Sequence, residues 1–349
     1  MSDIVRAALV AVVDGGTLSE ADARAAMGAV MDGQSTPSQL AALLVALRMR
    51  GETIDELTGF AAAMRDRVVR VEAPPDVIDT CGTGGDRSGT FNISTTAALV
   101  VAAAGVPVAK HGNRAVTSRS GSADVLEALG VPTDLDAAAA ADALRRDGFA
   151  FLFAPGFHPA MKHAGPTRRE IGVRTAFNFL GPLTNPAGAR RQVVGVGDAG
   201  AAPRLAEVLR RLGSERAFVV HGSGLDELPL DGSGVLYDVT PAGVERRTVR
   251  AADVGLPQAA TSELAGGTAD ENARLIERVL AGERGPRRDV VLLNASAALV
   301  VAGRAADLAS GVAMAASTID AGAASALLAR LQESKRQADR ARALQGAIA

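Results

Sequence analysis

The spacing of apolar and polar positions changes along the chain, and the changes divide it. Leu40, Leu43, Leu44 and Leu47 recur at three- and four-residue intervals behind Thr36-Pro37-Ser38-Gln39, which predicts an amphipathic helix with a defined start. An earlier helix opens at Leu18–Asp22, with Ser19 or Thr17 as its cap, and ends at Gly33. A later one opens at Thr53-Ile54-Asp55-Glu56 and runs to about Arg67. Glu72-Ala73-Pro74-Pro75-Asp76 then punctuates the chain as a hinge. Beyond it, short apolar runs alternate with helical ones. Strands are predicted at 77–79, Val106–Ala109, Phe149–Phe153, Arg191–Val196 and Arg216–Val220, and helices at Ala137–Asp147 and Pro203–Leu212. Leu228–Val249 reads as a hairpin, Thr268 caps a helix through Leu280, and Asp289–Leu293 reads as a strand. A helix from Ala295 to Ala302 and an Ala-rich helical remainder complete the pattern: helices first, then an α/β alternation.

Two strand–loop–helix units between Asp79 and Gly130 carry the chemistry. The first breaks at Gly82-Thr83-Gly84-Gly85-Asp86, where glycines let backbone N–H groups approach an anion. Ser94, Thr95 or Thr96 can cap the apolar helix that follows and closes at Gly105; its start is a ready anion site. The second unit has the loop Lys110-His111-Gly112-Asn113-Arg114 and then SADVLEALG, with Ser122 as cap. Neither loop is a G-x-G-x-x-G fingerprint opening straight into a helix, and neither ends in G-K-[ST]. GTGGD alone is compatible with an ordinary strand–helix turn. KHGNR, with three cationic or potentially cationic side chains, turns the pair into a phosphate site.

Composition narrows the class. The chain has 349 residues, 48% of them hydrophobic, enough for one large or two ordinary domains. Lys+Arg 37 against Asp+Glu 39 gives a net charge of −2, which leaves no electrostatic footprint for nucleic acid. The single cysteine, Cys81, excludes an intrachain disulfide framework, fits a reducing cytoplasm and reads as a small buried residue. The opening MSDIVRAALVAVVDGG lacks a basic region ahead of its apolar run, so no secretory signal is expected, and no run is long enough for a membrane helix. The apolar stripes of the first helices exceed what three short helices can bury among themselves, which suggests a homodimer interface.

GTGGD, FNISTT, KHGNRAVTSRSGSADVLEALG, FLFAPGFHPAMKHAGPTRREIGVRTAFNFLGPLTNPA and HGSGLDE, in this order, resemble the anthranilate phosphoribosyltransferases over nearly the whole chain. The resemblance implies a small N-terminal all-helical domain plus a large α/β domain with a central, mostly parallel sheet flanked by helices. It also implies that residues 161–188 return to the helical domain 1–72, leaving 73–160 and 189–349 as the α/β part. That return does not follow from periodicity.

The resemblance further implies transfer of a 5-phosphoribosyl group from phosphoribosyl pyrophosphate (PRPP) to the amine of anthranilate, with Mg²⁺, two ions per subunit, in a cytoplasmic homodimer. PRPP contacts carry over to Gly82, Gly85, Asp86, Thr90, Asn92, Ile93, Ser94, Thr95, Lys110, His111, Gly112, Asn113, Arg114, Ala115, Val116, Thr117, Ser118 and Ser122. Anthranilate contacts carry over to Gly82, His111, Asn113 and Arg168, and metal ligands to Ser94, Asp226 and Glu227. Ala115, Thr117 and Arg119 depart from the usual residues, and at Ala115 this puts any side-chain contact in doubt. The Asp226-Glu227 pair could by itself be a solvated acidic turn; past a strand end it can also supply hard oxygen ligands. Arg169 and Arg174 compete with Arg168 for the acceptor carboxylate on chemistry alone, and His158 and His163 have structural roles as ready alternatives. Lys110 is expected to stabilise charge on the leaving group, and no general base is required. A pyrimidine nucleoside phosphorylase is one rival, but its K-H-S-T-G-G run is not found. A non-enzymatic, nucleic-acid-binding relative is another, expected to be basic and to lack TRRE and DE.

Overall fold

A computed structural model describes residues 3–86, 88–115 and 119–348. Val116, Thr117 and Ser118, expected among the PRPP contacts, lie outside the described residues. Four helices open the chain: α1 (Asp3–Val13), α2 (Glu20–Met31), α3 (Pro37–Arg50) and α4 (Ile54–Arg65). Ser19 caps α2 by accepting from the Asp22 amide, and Thr36 and Thr53 form capping boxes with Gln39 and Glu56. Leu40, Leu43, Leu44 and Leu47 are all buried.

Among the described residues, seven strands then form one sheet: β1 (Ile78–Gly82), β2 (Val108–Gly112), β3 (Phe149–Phe153), β4 (Arg191–Gly195), β5 (Arg216–Gly222), β6 (Gly234–Thr240) and β7 (Gly243–Val249). Their order is β3-β2-β1-β4-β5-β6-β7. The first five are parallel; β6 and β7 add as an antiparallel hairpin. The intervening helices are α5 (Ile93–Ala103), α6 (Ser122–Ala128), α7 (Ala137–Asp147), α8 (Ala154–Phe157), α9 (Gly165–Ile171), α10 (Phe177–Leu180) and α11 (Ala202–Arg211). Past the hairpin come α12 (Ala269–Leu280), α13 (Pro286–Val301), α14 (Leu308–Asp320) and α15 (Ala323–Ile348).

Alternation along the strands sorts the core. In β5, Phe218 and Val220 join the apolar cluster of α5, α13, α14 and α15. Ala217 and Val219 face the opposite way, into a cluster that continues through α11 and the N-terminal helices. One apolar body thus joins the helical bundle to one face of the sheet. Helix α9 packs on α3, and α10 on α4. Arg65 of α4 donates from Nε to Leu183 O at 2.6 Å and from Nη1 to Leu212 O at 3.1 Å, while burial lowers its pKa to about 10. No single helix among the described residues is long and apolar enough to cross a membrane.

Local expectations fail at four places. Asp289–Leu293 is not a strand: it belongs to α13, which starts with Pro286 at its first turn and is buried at every position from Val290 to Val301. An apolar run wedged between sheet and helices has no polar face to reveal its period. Strand β2 starts later than expected and takes in Lys110 and His111, which register with Phe151 and Leu152 of β3. Helix α5 begins at Ile93, behind an Asn92 cap whose side chain makes no capping bond to the helix, so Ser94, Thr95 and Thr96 lie inside its first turn. Gly121, not Ser122, caps α6, and Asp124 supplies the carboxylate that accepts from the Gly121 amide.

Candidate active site

The strand order reverses direction at β1: β2 and β3 extend on one side of it, β4 and β5 on the other. In such a sheet a cleft opens beyond the strand ends at the switch point, here between β1 and β4. Both strands end in glycine, and so do β2 and β5. The need for glycine is steric at Gly82 and Gly195, where an added Cβ would run into the Asp226 carboxylate and the Asp226 backbone. The loop after β5 therefore lies directly on the ends of β1 and β4. It turns through Ser223, a non-glycine residue at φ 52°.

Asp226 and Glu227 are anchored by backbone amides. Gly84 N donates to Asp226 Oδ2 at 3.0 Å, and Ser94 N to Glu227 Oε1 at 3.0 Å. Glu227 thus takes the place of a capping side chain at the start of α5, where the helix dipole favours an anion. Asn294 of α13 fixes the next residue: its Oδ1 accepts from Leu228 N at 2.9 Å and its Nδ2 donates to Leu228 O at 3.0 Å. Burial pushes Glu227 up to about 8, with Asp226 adding to the rise. Burial likewise raises Asp226 to about 6, with Asp86 adding to it. The site thus concentrates carboxylates whose ionisation burial and mutual repulsion oppose.

Lys110 lies among them, buried. Its Nζ donates to Thr80 O and stands 3.5 Å from Ser94 Oγ. Desolvation lowers its pKa, and Asp79, then Cys81, Glu227 and Asp226, pull it back. Asp79 is itself wholly buried and pushed up by burial, with Oδ1 accepting from His111 N at 3.2 Å. Among the described residues, no three His, Cys, Asp or Glu side chains form a metal cluster. Two carboxylates, a hydroxyl and oxygens from a phosphorylated ligand are nonetheless the donor set that Mg²⁺ takes, and the residues fit that ion.

The three KHGNR cations do different things. His111 is neutral: burial lowers its pKa to about 3, and its Nδ1 lies 3.1 Å from Gly181 O. Its ring stands 5.1 Å from that of His158, which burial lowers to about 4. Arg114 is exposed and paired with Asp124 and Glu127, so of these three side chains Lys110 alone brings buried positive charge to the carboxylates. Asn113 is exposed, Ala115 donates its amide to Asp124 Oδ2 at 2.9 Å, and Gly112 and Ser122 close against each other. Ile93 and Thr95 are buried, so their side chains belong to the core. Thr90 bridges to Ala265, and Asn92 donates to Ser120 O at 3.2 Å.

Buried imidazoles give a pH prediction. The folded state holds His111 and His158 neutral well below pH 6.5, where the unfolded chain takes up two protons. Their contribution is intact above that pH and is lost as pH falls; at pH 5 the loss is on the order of 2 kcal/mol for each ring. Urea denaturation at pH 7 and pH 5 measures it, and replacing both rings with Asn should flatten the difference.

Arg168 is half-buried on α9 and stacks over Phe177 at 4.7 Å. Burial lowers its pKa, and no acidic side chain among the described residues pairs with it. Arg169 and His163 are exposed, and His163 lies against Gly33. Arg174 reaches the glycine loop instead, with Nη1 donating to Gly84 O at 2.7 Å. Sequence reasoning passed over Asn294 and also Asn272, a buried residue of α12 whose Nδ2 donates to Asn92 Oδ1 at 2.9 Å. A lone Asn inside VVLLNASAALVV was the available signal, since a buried amide must find partners.

Comparison with known proteins follows the same outline. Residues 74–325 match the glycosyl transferase family a/b domain, and residues 6–68 its helical bundle domain. The anthranilate phosphoribosyltransferase of Moorella thermoacetica is 56% identical over 93% of this chain and 96% of its own. The chain belongs to the anthranilate phosphoribosyltransferases. Among solved structures of that family, the Thermus thermophilus enzyme superposes with a TM-score of 0.89 at 46% identity, covering 94% of this chain and 99% of the other. The Saccharomyces cerevisiae anthranilate phosphoribosyltransferase, in complex with PRPP and Mg, gives 0.88 at 26% identity over 97% of this chain and 99% of that one.

Proposed function

We propose that this anthranilate phosphoribosyltransferase transfers the phosphoribosyl group of PRPP to the anthranilate amine, giving N-(5-phosphoribosyl)anthranilate and pyrophosphate in tryptophan synthesis. The observation that carries the site assignment is Asp226-Glu227 folded onto the ends of β1 and β4, with one buried ammonium beside them. Asp226, Glu227 and Ser94 would hold Mg²⁺, two ions per subunit. When bound, the metal neutralises charge that builds on pyrophosphate as the C1–O bond breaks.

The chain's own residues do the rest. Lys110 adds positive charge from within the sheet, at no reorganisation cost. The GTGGD loop and the KHGNR segment that begins in β2 hold the phosphates, with Gly82, Gly85, Asp86, Thr90, Asn92, Ser94 and Ser122 around them. Arg168 meets the anthranilate carboxylate, with His111 and Asn113 beside the ring. The aniline nitrogen is uncharged and attacks C1 as the donor becomes oxocarbenium-like; its proton then passes to the released pyrophosphate or to water, so positioning replaces general-base catalysis. Neutral His111 is consistent with that assignment.

Two predictions follow from the assignment. Arg168→Ala should raise KM for anthranilate by about tenfold or more, the worth of a charge-assisted pair, and change that for PRPP little. Initial rates with each substrate varied decide it, and equal changes would reassign the residue. The helical unit (1–72, with 161–188) exposes Ile4, Val10 and Val13 on α1 and Val45 and Met49 on the adjoining α3. That apolar surface supports a homodimer; sedimentation should give twice the chain mass at micromolar concentration, and a monomer there contradicts it. The enzyme is assigned to the cytoplasm, with no nucleic acid or membrane partner. Restored growth without tryptophan in a bacterium lacking this step tests the function in cells.

A further inference from the structure

The segment that carries Arg168 ends α9 at Gly172, in the left-handed region, and continues to Arg174. Arg174 turns onto the glycine loop after β1, with Nη1 donating to Gly84 O at 2.7 Å and Nη2 to Thr83 O at 3.3 Å. The amides of the same two residues are held elsewhere: Thr83 N by Gly195 O at 2.8 Å, and Gly84 N by Asp226 Oδ2 at 3.0 Å. The Thr83–Gly84 peptide is therefore clamped between Arg174 at its oxygen and Asp226 at its nitrogen. In a trans peptide the C=O and N–H point in opposite directions. Fixing Gly84 O on Arg174 therefore aims the Gly85 N–H away from the guanidinium. Gly85 takes φ 72°, and a Cβ there would run into Arg174 Nη1. This glycine makes room for the arginine as well as for an anion.

The geometry points to Arg174 as a positioning residue: it holds the two carbonyls so that the GTGGD backbone presents the Gly85 amide to the pyrophosphate end of the donor. One segment then serves both substrates, Arg168 toward the acceptor and Arg174 through the donor loop. The inference rests on reading that loop as the donor site.

Arg174→Ala and Arg174→Lys test it by kinetics and by hydrogen exchange without ligand. In Arg174→Ala, KM for PRPP should rise by about tenfold, the worth of hydrogen bonds from a charged donor, with KM for anthranilate within about twofold. This is the reverse of Arg168→Ala. Amides of residues 82–86 should exchange at least about tenfold faster in the ligand-free variant, because the latch acts before any substrate binds. Lys, which can hold one carbonyl, should recover part of both effects. A raised KM for PRPP with unchanged ligand-free exchange would make Arg174 a direct ligand and overturn the proposal; so would unchanged kinetics. If wild-type protein fails to use PRPP, the functional reading fails, while faster exchange in the variant still supports the latch.

Discussion

Glu227→Gln should lower turnover by about a hundredfold or more and flatten its dependence on Mg²⁺, since metal stabilisation of a leaving group amounts to several kcal/mol. The substitution keeps the shape and leaves an oxygen for the Ser94 amide, so the loop should hold. Asp226→Asn should act in the same direction. The pH dependence carries a sign. Burial raises both carboxyls, Asp226 to about 6 and Glu227 to about 8, and a metal binds only their ionised forms. Mg²⁺ binding below pH 8 therefore releases protons, and apparent affinity should strengthen as pH rises toward 8, by up to roughly tenfold per unit for each proton displaced. The same raised pKa values mean that the metal-free fold binds more protons than the unfolded chain, so it loses stability as pH rises through them. Thermal melts with and without Mg²⁺ should separate more at pH 8 than at pH 6. Equal separation, or kinetics of Glu227→Gln that still follow a full Mg²⁺ titration, would remove the pair from the metal set.

The second large effect is expected at Lys110. Lys110→Met removes a buried cation that interacts with Asp79, Asp226 and Glu227 while keeping an unbranched chain in the strand. Turnover should fall by about 10²–10³, the cost of deleting one preorganised charge-stabilising group. Mg²⁺ affinity should move the other way at a pH where the carboxylates are ionised, because the metal no longer competes with an ammonium. A structural lysine, serving only Thr80 O, would instead leave turnover within about threefold and show its loss in the urea midpoint. Turnover at saturating substrates, with Mg²⁺ affinity measured alongside, separates the two.

Much of this was legible in the sequence, for identifiable reasons. Helix starts at Ser19, Thr36, Thr53 and Thr268 are local, and one hydroxyl with a nearby amide decides each. The strand–loop–helix alternation is local too, and the family resemblance supplied the order of the motifs. What the sequence hid is contact between distant segments. Nothing in HGSGLDE says that Glu227 will take over the cap of α5, which relieves Ser94 of that task. Nothing in KHGNR says that its histidine will be buried neutral and its arginine engaged by Asp124 and Glu127, leaving Lys110 alone. Helix α13 was misread because it is apolar all round, a pattern that looks alike in a buried strand. Arg174 and Arg168 are equivalent as residues of one basic run; only the turn at Gly172 sends one to the glycine loop.

The most direct measurement follows anthranilate fluorescence and pyrophosphate release together, with purified enzyme, PRPP and Mg²⁺, omitting one component at a time. The account predicts loss of fluorescence matched one to one by pyrophosphate, and neither without donor or metal. Pyrophosphate release without anthranilate consumption, or no reaction in protein that binds PRPP, would contradict it and move the acceptor to another amine or base.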